Sequence, residues 1–362
     1  MLQPLHAPAA VVAPARPAPA RPAPAAAILG VAVHLPDDVR EVADVERALA
    51  RRNPGVVPRT PLVTRLTGVQ RVHVLPDGED ASDLAVAAAR TLLAEHPGTT
   101  VDLLIFASAS QDMVEPATSH IVAHKLGLDS VPVMDVKNAC NSVLNGIEVA
   151  EALVATGRYR TVLVASGEAP SRAVRHDVPD RATYALSAPG YTMSDAGAAV
   201  LVGRPPAVAP GQAPRGILAS AFSARSEHWD VGMLPGGGTA HPRDVERTFF
   251  EIDGGRLRDA FCALGPGVVE EALERAGLTL DDVTLVAVHQ VAVAYLDDVH
   301  DALGLPRDRT LVTVADHGNV ASVTLPLQLV RARESGRVRD GDVVLLLGLA
   351  GGISIGATLV RL

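Results

Sequence analysis

Cys140, His289 and Asn319 are the residues of this chain whose types and settings could carry covalent chemistry. Cys140 stands in Asp135-Val-Lys-Asn-Ala-Cys-Asn-Ser, between a strand-like run and a helix-like run. A thiol at a helix N-terminus feels the positive end of the dipole, which lowers its pKa and enriches the nucleophilic thiolate. The ordinary alternative is a buried structural cysteine at a tight turn, and Cys262, inside the apolar stretch AFCALG, fits that description. His289 follows the apolar run Thr284–Val288. It is a polar residue where strand gives way to loop, a position that catalytic groups occupy in open α/β sheets. Asn319 follows His317-Gly318 at an expected helix start, where asparagine is also an ordinary N-cap. Singly, each residue is ambiguous.

The elements that must position them follow from composition and pattern. In 362 residues, 48% are apolar but only 3% aromatic, so the core is built from Ala, Val and Leu. That suits closely packed helices on sheets better than an aromatic-rich sandwich. A net charge of −9 argues against nucleic acid as the main partner. Two cysteines without metal-like spacing give neither a disulfide framework nor a metal site, and a reducing cytoplasm is the expected compartment. No apolar run reaches the ~18 residues of a membrane span. The stretch APARPAPARPAPAAA, Ala13 to Ala27, reads as a disordered or extended tail over residues 1–27.

Beyond the tail, strand-length apolar runs alternate with helix-like segments, which argues for a layered α/β protein. Strands are expected at Ile28–Val33, Leu103–Ala107, Val131–Val136, Val162–Ser166, Ala198–Val202, Ile217–Phe222, Thr284–Val288, Val343–Leu347 and Ile353–Val360. Helices are expected at Ser82–Ala94, Ser142–Ala155, Leu257–Ala276 and Ala292–Leu303. The Pro/Gly-rich segment Gly203–Gly216 divides the chain into halves, 28–205 and 206–362. The halves look related. From Cys140 a helix-like segment runs to Gly157-Arg158 and then a strand; from Asn319 a similar segment runs to Gly336-Arg337 and then a strand. Such a repeat predicts duplication, with Cys140 and Asn319 at equivalent helix starts brought together by pseudo-twofold packing.

Together these residues match a known pattern. The chain from Ile28 to Leu362 resembles the β-ketoacyl-acyl-carrier-protein synthase III group of the thiolase superfamily. The resemblance rests on DVKNACNS around Cys140, VHQ at 288–290, HGN at 317–319, the ending GLAGGISIGATLVRL, and Ser194-Asp-Ala-Gly-Ala-Ala-Val. It implies a thiolase-like fold of two pseudo-twofold halves in five αβαβα layers, packed as a homodimer. It also implies that Cys140 takes an acyl group from acyl-CoA or acyl carrier protein, with an oxyanion hole from the N–H groups of Cys140 and Gly351. His289 and Asn319 would then hold the enolate formed when a malonyl-type extender loses carbon dioxide. No resident cofactor or metal is implied; coenzyme A or phosphopantetheine thioesters are substrates.

The carriers are anionic, and residues 51–73 hold Arg51, Arg52, Arg59, Arg65 and Arg71 with no acid. Thr64-Arg65-Leu66-Thr67-Gly68-Val69 is similar to a family segment with one residue inserted, which singles out Arg65 for the nucleotide or phosphate. Three departures bear on the substrate. Val291-Ala292-Val293-Ala294 lacks the family's carrier-docking basic residue. Ala350-Gly351-Gly352 replaces a common run of three glycines, expected to narrow the site. Glu115, in Gln111-Asp-Met-Val-Glu-Pro-Ala-Thr-Ser, stands where fatty-acid enzymes carry an apolar residue. Glu-Pro-Ala-Thr looks like relatives that join two acyl chains head to head, whose glutamate crosses the dimer interface as a base. These departures point to polyketide or lipid-like secondary metabolism. The alternatives are an acyltransferase passing the Cys-bound group to a hydroxyl or amine, and a silent synthase subunit, which would have no need of all three residues.

Overall fold

Runs of Val, Leu, Ile and Ala between turn residues become strands buried on both faces, the condition of a sheet covered by helices on each side. Thr161–Glu168 and Val343–Ala350 are buried almost throughout. A computed structural model describes residues 23–362. Its first sheet has the strand order Ala27–His34, Ala196–Gly203, Thr161–Glu168, Leu103–Ala107, Val133–Val136. Its second has the order Leu285–Val288, Val343–Ala350, Ser354–Arg361, Gly216–Ala224.

The helices Ser142–Ala155 and Thr324–Glu334 form the middle layer. Val143, Ile147 and Val154 from one and Leu325, Leu329 and Ala332 from the other share a core with Ile105 and Val164 of the first sheet and Val344 and Leu346 of the second. Helices Ala81–Glu95 and Thr118–Leu126 cover the outer face of the first sheet. Helices Gly254–Cys262, Gly267–Ala276 and Leu296–Leu303 cover that of the second. The result is the five-layered thiolase-like arrangement.

The duplication is visible in the pairing. Thr161–Glu168 runs antiparallel to Ala196–Gly203 and parallel to Leu103–Ala107. Val343–Ala350 likewise runs antiparallel to Ser354–Arg361 and parallel to Leu285–Val288. The two Gly-Arg pairs end the two middle helices in the same way. Gly157 and Gly336 have φ of 72° and 71°. Arg158 N–H reaches Leu153 O at 3.1 Å, and Arg337 N–H reaches Ala332 O at 2.9 Å. This is the six-to-one closure that a left-handed glycine permits.

Several boundaries differ from expectation. The tail expected over 1–27 lies outside the described residues up to 22; Ala26 and Ala27 are buried, and Ala27 opens a strand. Ala26 O accepts from Ile217 N–H, so the end of the Pro/Ala stretch is anchored by the second half. The helix expected over Leu257–Ala276 is two, broken at Gly265, φ 66°, and Pro266. The helix expected from Ala292 begins with a single 3-10 turn, Val293–Tyr295. The division at 205/206 falls in a connection, 204–215, without helix or strand.

Candidate active site

The residues singled out in the sequence meet at the C-terminal ends of strands. Cys140 follows Val133–Val136, His289 follows Leu285–Val288 and Gly351 follows Val343–Ala350. With Asn319 they line one cavity of about 820 Å³, whose walls include Leu234, Phe250, Ile252, Leu257, Phe261 and Leu349. A second cavity of about 410 Å³ shares Met193, Ile252, Leu257, Val291 and Asn319 with the first. It opens past Val63, Leu66 and Thr67 of the short helix Leu62–Thr67, beside Leu186 and Tyr295. Asn319 therefore stands where the two spaces join.

Cys140 and Asn319 each follow a residue of positive φ, Ala139 at 45° and Gly318 at 66°, but they do not stand at the equivalent helix starts expected from the repeat. Cys140 lies two residues before the helix Ser142–Ala155, whereas Asn319 lies five before Thr324–Glu334, with a 3-10 turn, Ala321–Val323, between. At 318 only glycine fits: a Cβ would lie 2.8 Å from Thr192 O and 2.9 Å from Val72 Cγ1. Gly351 differs, because a Cβ there would meet nothing nearer than Gly232 O at 3.9 Å. The space kept free at Gly351 belongs to the cavity. Ala350 is fully buried and does not line the cavity, so the narrowing expected from its methyl is not found.

The side chains are set by their hydrogen bonds. Asn319 Oδ1 accepts from Ala321 N–H at 3.0 Å, which fixes the amide and leaves its NH₂ without an acceptor among the described residues. His289 is buried, its backbone N–H donates to Leu347 O at 2.9 Å, and neither ring nitrogen has a partner among the described residues. Burial pushes the imidazole down to about 4, so the ring is neutral at ordinary pH. Gln290 ties the two halves of the motif together: its Oε1 accepts from Thr313 N–H at 2.9 Å and Val314 N–H at 3.1 Å, and its Nε2 donates to Leu311 O at 2.8 Å. The segment leading to Asn319 thus hangs from the strand end that carries His289.

Cys140 corrects an expectation. The residue as a whole is half-buried and stands one position before the N-cap of Ser142–Ala155, yet burial of its thiol, followed by Glu168, pushes it up to about 12. The helix terminus is outweighed by desolvation and a neighbouring negative charge. Glu168, missed in the sequence, ends the strand Thr161–Glu168 and lines the cavity. It accepts from Ala109 N–H at 3.0 Å, Ser322 Oγ–H at 2.5 Å, and the N–H and Oγ–H of Ser110 at 3.3 and 3.2 Å. Four donors make an environment for an anion, while burial pushes its pKa upward. The sequence signal was an acid closing an apolar strand, the same kind of position as His289.

Glu115 and Arg65 are not brought to Cys140. Glu115 lies on an exposed loop and is not among the cavity's lining residues. Arg65 is exposed on Leu62–Thr67, the helix at the mouth of the second cavity. Of the five arginines between 51 and 71, Arg52 pairs with Asp177 and Arg71 with Asp316 and Glu41. Arg51, Arg59 and Arg65 form no ion pair among the described residues.

Comparison with known proteins decides the family. Residues 134–224 match 3-oxoacyl-[acyl-carrier-protein (ACP)] synthase III, and residues 273–362 match the C-terminal part of that synthase. The chain is 34% identical over 338 residues to the β-ketoacyl-[acyl-carrier-protein] synthase III of Rhodospirillum centenum, covering 92% of this chain and 98% of that one. It belongs to the 3-oxoacyl-[acyl-carrier-protein] synthase III family. The Nitratidesulfovibrio vulgaris synthase III is 33% identical over 344 residues, 92% of this chain and 97% of its own. The crystal structure of the Thermus thermophilus synthase III has a TM-score of 0.78 at 28% identity, covering 93% of this chain and 99% of that one. OleA from Xanthomonas campestris has a TM-score of 0.82 at 22% identity, covering 93% of this chain and 98% of its own, a likeness of fold. Membership makes the chain a condensing enzyme of the ketosynthase III type. Among the described residues no helix is long and apolar enough to cross a membrane.

Proposed function

We propose that this enzyme loads an acyl group from an acyl-CoA or acyl carrier protein thioester onto Cys140 and joins it to a malonyl-type thioester. In the first step the Cys140 sulfur attacks the thioester carbonyl, with the oxyanion held by the N–H groups of Cys140 and Gly351. The carrier leaves as a thiol, taking up the proton that Cys140 gives up. In the second step the extender carboxylate departs as carbon dioxide and its electrons move into an enolate. His289 N–H and the Asn319 amide donate to the enolate oxygen, and the carbanion displaces Cys140 from the acyl group. Each preorganised donor of this kind is worth ~3 kcal/mol. The observation that carries the reading is the Asn319 amide, locked by Ala321 so that its NH₂ is free where the two cavities join.

The second cavity suits a thioester arm entering from the surface, with Arg65 at its mouth for an anionic carrier. Glu115 faces solvent rather than its own cavity, as a residue acting on a partner subunit's site in a twofold dimer must. With the apolar walls and the missing basic residue after His289, this supports an acyl product of secondary metabolism. The competing reading, transfer to a hydroxyl or amine, is favoured by one feature: a neutral His289 with both nitrogens free could serve as base. Intact-mass analysis with a panel of acyl thioesters, then malonyl thioesters, alcohols or amines, separates the two. Discharge of the acyl-enzyme by malonyl thioesters alone is expected; discharge only by alcohols or amines would replace condensation with transfer.

A further inference from the structure

His73 and His317, 244 residues apart in sequence, meet behind the site, and neither lines either cavity. His73 Nε2 and His317 Nδ1 are 3.0 Å apart, and His73 Nδ1 is 2.8 Å from Pro36 O. A carbonyl oxygen can only accept, so His73 carries its proton on Nδ1 and its bare Nε2 must accept. His317 therefore carries its proton on Nδ1 and donates it to His73. Burial, His73 and Arg331 push His317 down to about 4, with Asp316 opposing and Arg71 adding to the effect, so the His317 ring is neutral at working pH.

This hydrogen bond closes a ring of constraints around Asn319. His73 N–H donates to Ser194 Oγ at 2.7 Å, and Ser194 N–H donates to Asn319 O at 3.0 Å. Asn319 N–H donates to Thr192 O at 2.8 Å. From Asn319 the chain runs back through Gly318 to His317, whose ring returns to His73. We infer that His73 and His317 are positioning residues for Asn319, acting through the single directed bond from His317 Nδ1–H to His73 Nε2. They touch no substrate; they keep the turn that aims the asparagine amide from rotating away. The inference rests on Asn319 serving the second half-reaction.

The direction of the bond provides the test, because asparagine places an amide nitrogen near imidazole Nδ1 and glutamine places one near Nε2. Acyl-Cys140 is formed on the full-length enzyme and chased with malonyl thioester in wild type, His317→Asn, His317→Gln and Asn319→Ala. The asparagine variant keeps the donor and is expected within about threefold of wild-type kcat. The glutamine variant lacks it and is expected to lose about 10–100-fold in kcat, the scale of a misplaced catalytic group. KM for the acyl donor and the rate of self-acylation should stay within about twofold in both. Histidine carbon and nitrogen NMR shifts should independently place the proton of both rings on Nδ1. If glutamine performs as well as asparagine, or both are equally impaired, the assignment is overturned. If Asn319→Ala itself condenses at the wild-type rate, the reading of Asn319 fails and the inference goes with it.

Discussion

The two halves of this molecule share their strand pairing and the glycine cap of their middle helices, but they deliver their functional residues differently. In the first, a full edge strand, Val133–Val136, pairs with Leu103–Ala107 before the chain reaches Cys140. In the second, the corresponding pairing with Leu285–Val288 has shrunk to one bridge, Val286 to Thr310, and side chains do the rest. Gln290 clamps residues 311–314, and the His73–His317 bond holds the turn before Asn319. The electrical settings differ too. The cysteine has a buried carboxylate beside it, whereas His289 and Asn319 keep neutral donors free. Duplication thus yields a nucleophile end and a donor end, and each half-reaction depends on a different one.

The largest effect should come from breaking the nucleophile end. Cys140→Ala should show no acyl mass shift with any thioester, while Cys262→Ala, changed in the other half, should acylate normally. Next is Glu115, the residue that belongs to neither end of its own chain. Glu115→Gln should leave acylation nearly intact and slow the second half-reaction by roughly 10²–10⁴-fold, the range of a lost general base. Mixing Cys140→Ala with Glu115→Gln subunits should restore part of the activity, since one site of each heterodimer then has both groups. An effect below about twofold would make Glu115 a solvated loop carboxylate.

A smaller effect sharpens the electrical contrast. Removing the charge beside the thiol in Glu168→Gln should favour the thiolate and lower the Cys140 pKa. Alkylation by iodoacetamide at pH 8 should quicken by up to roughly tenfold, one pKa unit's worth, and its pH midpoint should move down. Unchanged kinetics would mean that Glu168 does not set the thiol's ionisation.

The strands and the helix Ser142–Ala155 were legible because apolar runs between turn residues leave few other ways to bury Val and Leu. Gly157 and Gly336 were legible as a repeat, and their left-handed caps explain why the spacing persists. The break at Gly265-Pro266 was readable in principle, but the apolar flanks on both sides masked it. What local pattern could not reveal were long-range effects. Burial of the thiol first, and then Glu168, 28 residues later in the chain, outweigh the helix terminus that the sequence suggested. The pairing of His73 with His317 depends on the two halves being docked.

The central claim is that the donor end serves condensation and not acylation, and a single chase experiment tests it. Acyl-Cys140 is prepared on wild type and on Asn319→Ala, malonyl thioester is added, and the acyl-enzyme is followed by intact mass. Both proteins should acylate at rates within about twofold, but the acyl group on Asn319→Ala should persist about 10²–10³ times longer, the cost of one lost oxyanion donor. Clearance from Asn319→Ala at the wild-type rate, with the same condensed product, would contradict the account.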